Sequence, residues 1–134
     1  MFGNFQTSRL RIEVNASEAL IQDSLLNTAN LKQWLWTQRF SSDIPSCLIP
    51  DTAFTTWIGP ISILHTVEYA NDHRLRLILS QGIDGFHDWC WGNGWVQSCI
   101  EGVSLLPINA GQTFSLFCLK QYLENNLTAN ESER

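Results

Sequence analysis

No apolar run in this chain approaches the ~18 residues that a membrane-spanning helix needs. The opening stretch, MFGNFQTSRL, also lacks the basic start and apolar core of a signal peptide. Basic residues are few and scattered: Arg9, Arg11, Lys32, Arg39, Arg74, Arg76, Lys120 and Arg134 stand against 13 acids, for a formal charge of −5. With no cluster of Lys or Arg to displace counterions from phosphates, a nucleic-acid role is not expected. The expectation is a soluble, cytoplasmic protein with no membrane insertion.

Recognisable chemistry is equally sparse. Cys47, Cys90, Cys99 and Cys118 are far apart and form no C-x-x-C pair, so in a reducing compartment they read as free thiols packed as small apolar side chains. The sequons beginning at Asn15, Asn126 and Asn130 carry meaning only in a secreted protein. There is no Gly-rich phosphate loop, no G-x-S-x-G turn and no supported Ser/His/Asp set. The nearest approach to a metal set is His87, Asp88 and Cys90. On a strand, however, His87 faces away from the other two, and zinc needs three or four converging ligands. No metal and no cofactor are expected. Internal repeats and low-complexity segments are also missing.

What is present suits a single domain spanning 1–134. A chain of this size buries roughly two-thirds of the surface its unfolded form exposes, and needs no staples. Between Arg9 and Val14 apolar Leu10, Ile12 and Val14 alternate with Arg9, Arg11 and Glu13, the pattern of a half-buried strand. Ser17 then offers an N-cap and Glu18 suits the positive end of a helix carrying Leu20, Ile21, Leu25 and Leu26 to about Thr28. Asn30 suggests the cap of a second short helix with Leu31, Trp34 and Leu35.

A loop from Ser41 to Pro50 precedes a run of strands. These are Ala53 to Ile58; Ile61 to Ala70, with Ile61, Ile63, His65, Val67 and Tyr69 on one face; and, after the Asn71-Asp72-His73 turn, Arg74 to Ser80 with Leu75, Leu77 and Leu79 inward. Phe86 to Trp91 and Trp95 to Leu105 make a hairpin about Gly92-Asn93-Gly94, where Asn-Gly suggests a type I′ turn. Pro107 to Gly111 ends the sheet, and Gln112 to about Asn126 is an amphipathic helix with Leu116, Leu119, Leu123 and Leu127 on one side. Residues 128–134 read as a frayed tail.

This order of elements predicts an α+β chain. Several segments resemble the START-like (SRPBCC) superfamily, which includes lipid-transfer domains and polyketide cyclases. They are Ile12-Glu13-Val14-Asn15-Ala16-Ser17-Glu18, Leu31-Lys32-Gln33-Trp34, the Asp72 turn before Leu75 and Leu77, and the closing Ser115 to Glu124. The resemblance implies a helix-grip fold: a curved antiparallel sheet wrapped around a long C-terminal helix, with two short helices between the first two strands. Where many relatives carry a Gly- and Thr-rich turn before the last strand, this chain has Gly92-Asn93-Gly94 between tryptophans, which leaves the fold reading intact and weakens the transfer of any subfamily's activity.

The hairpin register decides the candidate site. A two-residue turn opposes Trp91 to Val96 and puts His87, Trp89, Trp91, Val96, Ser98 and Ile100 on one face; a three-residue turn opposes Trp91 to Trp95 and substitutes Gln97, Cys99 and Glu101. The first is favoured because it leaves Gln97 and Glu101 in solvent. Residues expected to line an apolar cavity between sheet and helix are Trp57, His65, Leu77, His87, Trp89, Trp91, Phe114 and Phe117. His65 and His87 are the candidates for acid/base work, against the plainer reading of core histidines bonded to backbone carbonyls.

Glu68 and Glu101 read as solvated charges, and Arg74 and Arg76 as a surface pair opposite Glu68. Trp34 reads as a core anchor and Trp36 as a residue of the cavity mouth or a partner surface. The expected partner is a hydrophobic small molecule, such as a lipid, isoprenoid or aromatic metabolite, with a homodimer or protein partner left open. A cyclase or dehydratase using a pocket histidine, and an interaction module with a filled core, are the alternatives.

Overall fold

The computed structural model describes residues 3–132, with side chains from 3 to 126. Its elements are β1 (Asn4–Glu13), α1 (Glu18–Leu26), α2 (Thr28–Trp34), β2 (Arg39–Phe40), β3 (Ala53–Ile58), β4 (Ile61–Ala70), β5 (Arg74–Gln81), β6 (Ile83–Gly92), β7 (Trp95–Ser104) and α3 (Ile108–Ser132). The seven strands form one antiparallel sheet in the order β1-β7-β6-β5-β4-β3-β2, a meander closed at its far edge by the first strand. α3 lies along the concave face against β1, β7 and the two short helices, which is the helix-grip arrangement.

Period-two patterning explains the sheet. Leu75, Leu77 and Leu79 of β5 are each 5 % exposed or less, and they meet Leu116, Leu119 and Leu123 of α3, equally buried, in one core. Two glycines face each other in the sheet, Gly85 on β6 and Gly102 on β7. A Cβ at Gly85 would lie 1.9 Å from the Glu101 carbonyl oxygen, and one at Gly102 would lie 2.5 Å from that of Asp84. No side chain fits in so close a backbone approach.

Several boundaries differ from the sequence reading, each for a local reason. β1 begins at Asn4 because its inward positions there are polar: Gln6 donates to the Ser104 and Leu106 carbonyls, and its Oε1 accepts from the Ile108 amide at 3.1 Å. That bond serves the start of α3, which begins directly after Pro107 rather than at Gln112, and Gly111 sits inside its first turn with its amide on the Pro107 carbonyl. The helical backbone continues to Ser132, while the frayed tail proposed for 128–134 falls on side chains and terminal residues outside the description.

The α2 cap is Asn27, not Asn30: its side chain accepts from the Ala29 amide at 3.1 Å, whereas Asn30 donates to Asp23 and accepts from the Tyr122 hydroxyl. The short β2, for which the sequence pattern gives no strand signal, pairs Arg39 with Trp57 and Phe40 with Thr56. In β4 a register shift between Val67 and Tyr69 moves Tyr69 to the outer face, where it opposes Arg76 and lies 5.6 Å beneath the Arg74 guanidinium.

The β6–β7 hairpin has the favoured two-residue register, with Gly92 opposite Trp95 and Trp91 opposite Val96. Its turn is not type I′, because Gly94 alone of the two loop residues has a positive φ, at 84°. Tertiary bonds set this shape. Asn93 Oδ1 accepts from the Glu18 amide at 2.8 Å, and Gly94 exchanges backbone bonds with Val14 and Ala16 at 3.0 Å, fastening the turn to the start of α1.

Candidate functional site

Between the concave sheet, α2 and α3 lies a cavity of about 330 Å³. Its floor is Leu75, Leu77 and Leu79 of the middle strand, and Trp34, Leu48 and Phe54 form part of the wall. Toward the surface it ends at the exposed or partly exposed Thr37, Ile58 and Phe114. Trp36 projects beside this mouth, 67 % exposed, its ring edge-on to Phe114 with centroids 6.2 Å apart. Among the described residues no Lys, Arg, Asp or Glu lines the wall.

The polar groups of the wall are few and mostly paired. His65 on β4 and His87 on β6 point inward from strands separated only by β5. His65 Nε2 meets Thr56 Oγ1 at 2.9 Å and its ring stacks on Phe54, with centroids 4.6 Å apart and planes 4° from parallel. His87 Nε2 meets Ser98 Oγ at 2.7 Å, and its ring stacks on Trp89 at 4.6 Å. Both partners are hydroxyls and not the backbone carbonyls expected from sequence.

Gln112 of α3, 3 % exposed, extends this set. Its Nε2 donates toward Ser98 Oγ at 2.9 Å, Ser98 O at 3.0 Å and Ser8 O at 3.2 Å, while Oε1 accepts from the Ser8 hydroxyl at 2.5 Å. Asn109 donates to that hydroxyl from the protein surface at 2.8 Å.

Burial disfavours the charged imidazolium and pulls His65 down to about 4. His87 falls to about 3, through burial first and the neighbouring His65 second. Both rings are therefore neutral near pH 7, enclosed by protein while keeping some surface toward the cavity they line. Bases this weak carry protons poorly at neutral pH, where an efficient general base titrates near the working pH.

Of the residues expected at the cavity, His65, Leu77, His87, Trp89 and Phe114 line it. Trp57, Trp91 and Phe117 do not. Phe54 and Thr56 take the inward positions of β3, which turns Trp57 out beneath Arg39, 5.8 Å away. Trp91 is inward but sealed at 1 % exposure in the core, its indole N–H without a partner. Phe117 follows inward Leu116 by about a third of a turn and is 54 % exposed.

Thr56 and Gln112 were missed as site residues, and Ser98, placed on the inward face by the favoured register, was left off the expected lining. Gln112 gives no signal beyond being polar near the start of a helix. Trp34 is a core anchor, donating its indole N–H to Ser24 O at 2.8 Å. On the outer face Arg76 bridges Glu68 at 2.7 Å and Asp88 at 2.8 Å, and Arg74 reaches Asp88 at 3.5 Å. Among the described residues no three His, Cys, Asp or Glu converge as a metal set, and no helix is long and apolar enough to cross a membrane.

Sequence comparison finds no matching protein family and no matching curated protein. Solved structures do match. DynU16, a protein in the dynemicin biosynthetic locus, aligns with a TM-score of 0.68 at 15 % identity over 90 % of this chain; the chain spans about half of that protein, 48 %. CV1439 from Chromobacterium violaceum aligns with a TM-score of 0.68 at 16 % identity, covering 88 % of this chain and 96 % of its own. The Aha1 dimer from Colwellia psychrerythraea gives 0.65 at 14 % identity, covering 89 % and 96 %. What this chain shares with them is the fold, the helix-grip architecture.

Proposed function

We propose that this protein binds an uncharged, largely apolar small molecule in the cavity between the sheet and α3. The observation that carries the reading is the make-up of the wall: apolar and aromatic side chains, two neutral histidines paired with hydroxyls and, among the described residues, no ionised group. Sites of this kind hold a ligand by apolar burial and orient it with a few polar groups. A charged ligand would lose its hydration with nothing to replace it.

Ligand cavities run from about 300 to 1,000 Å³, so the 330 Å³ here favours a one- or two-ring aromatic compound or a short isoprenoid over a long-chain lipid. The two stacked pairs, Phe54 with His65 and Trp89 with His87, present flat surfaces that suit a planar ligand. Four free cysteines fit a cytoplasmic setting. The cyclase or dehydratase reading is weaker because both pocket histidines are poor bases near pH 7. The interaction-module reading asks for a filled core, and the interior carries a cavity instead.

Native mass spectrometry of protein purified from its own host tests the proposal, with a co-purifying small molecule as the expected result. Leu79→Trp, which places an indole over the cavity floor, is the control and should lose that adduct. An adduct of equal abundance in the folded variant would place the ligand elsewhere.

A further inference from the structure

The hydrogen-bond chain behind His87 has a direction, and that direction fixes what the ring offers the cavity. The Gln112 amide lies with Nε2 toward two backbone carbonyls, Ser98 O at 3.0 Å and Ser8 O at 3.2 Å. Turned over, its oxygen would face both of them, so the orientation is set by the acceptors around it. Oε1 then takes the Ser8 proton, and Ser8 Oγ is free to accept from Asn109.

With Nε2 also directed at Ser98 Oγ, that oxygen acts as an acceptor from the helix side. Its own proton needs a partner, because Ser98 is wholly buried. Among the described residues the acceptor within reach is His87 Nε2, at 2.7 Å. The opposite arrangement, with Nε2–H donating to Ser98, would leave the serine proton buried and unpaired, which folded proteins avoid. Every donor in the series Asn109, Ser8, Gln112, Ser98, His87 thus points the same way.

We infer that His87 is held as the Nδ1–H tautomer, making it the hydrogen-bond donor that selects cavity ligands bearing a neutral acceptor such as a ketone, aldehyde or quinone oxygen. The inference rests on the binding reading above and names the ligand class for it. Ser98 and Gln112 are positioning residues: they act on the ligand through the ring. His65 does not duplicate this role, since its Nδ1 is buried without a partner and its Nε2 is already engaged by Thr56. The low proton affinity of His87 fits a group that donates one fixed hydrogen bond and does not pick up charge.

The test has two arms on the whole chain. Long-range proton–nitrogen NMR of histidine-labelled protein near pH 7 should show His87 with Nδ1 protonated and Nε2 bare, and Ser98→Ala should populate the other tautomer. A ring found as Nε2–H in the wild type, or a tautomer unchanged by Ser98→Ala, overturns the inference.

The second arm titrates acetophenone, ethylbenzene and benzoate into wild type and His87→Phe. Loss of one neutral hydrogen bond should weaken acetophenone by roughly threefold to tenfold in the variant, while ethylbenzene holds its affinity and benzoate binds neither protein measurably. Acetophenone and ethylbenzene responding alike to His87→Phe, or benzoate binding as tightly as acetophenone, overturns the inference alone. Failure of acetophenone and ethylbenzene alike to bind the wild type overturns the cavity-binding reading, and the inference with it.

Discussion

His65 and His87 are the residues through which this interior responds to pH. An unfolded histidine titrates near about 6.5, whereas the folded rings sit at about 4 and about 3. Between those limits the unfolded chain binds more protons than the folded one, so stability rises with pH there. Their contribution is fully present above about pH 6.5 and drains away as pH falls toward 4, each ring adding a slope of up to about 1.4 kcal/mol per pH unit. Urea denaturation at about pH 7, 6 and 5 should show falling midpoints in the wild type and a flatter profile in a His65→Phe/His87→Phe double variant. Equal slopes in the two proteins would mean that these rings are not buried neutral. At this scale the sequence told which residues alternate inward on a strand, His65 and His87 among them. It could not supply Thr56 as the partner of His65, because only the β3–β4 pairing brings the two together; Ser98 came beside His87 only under one of the two hairpin registers.

Elements followed their local patterns where one face was apolar and departed from them where polar side chains faced inward. β5 reads directly from Leu75, Leu77 and Leu79, whereas β1 was cut short in the sequence reading because Gln6 and Ser8 are polar and yet turned toward the core. The close backbone approach of β6 to β7 rests on Gly85 facing Gly102, a pairing that no local pattern announces. Gly85→Ala would drive a methyl group into the Glu101 carbonyl. The expected cost, read as a loss of unfolding free energy in urea, is at least the ~1–3 kcal/mol of an overpacked core site. Gly111→Ala makes the contrast: it lies in α3 with nothing within 4 Å of the added carbon, and should leave stability equal or raised by up to about 1 kcal/mol. If the two substitutions cost the same, the close approach at Gly85 is not what requires a glycine there.

For the molecule as a whole, a ligand that binds only the folded state adds stability by mass action, about 2.7 kcal/mol at a hundred times its dissociation constant. Any compound that occupies the cavity should therefore raise the thermal midpoint of the wild type and leave that of Leu79→Trp unmoved. A shift of equal size in both proteins would place the compound on the surface, and the exposed aromatic mouth of Trp36 and Phe114 is the first place to look.

The sequence by itself determined the fold class and the order of the main elements, because strand and helix periods are local and β5 and the inner face of α3 each declare them over a few residues; the hairpin register was settled by the pairing of β6 with β7. Tertiary structure alone decided which inward residues enclose space and which are sealed. Trp89 and Trp91 share a face two residues apart, yet one lines the cavity and the other is core, because packing against distant segments sets the difference. Gln112 joins the site for the same reason. Its partners Ser8 and Ser98 stand 104 and 14 residues away in sequence, and only the closure of β1 against β7 beneath α3 brings all three to His87.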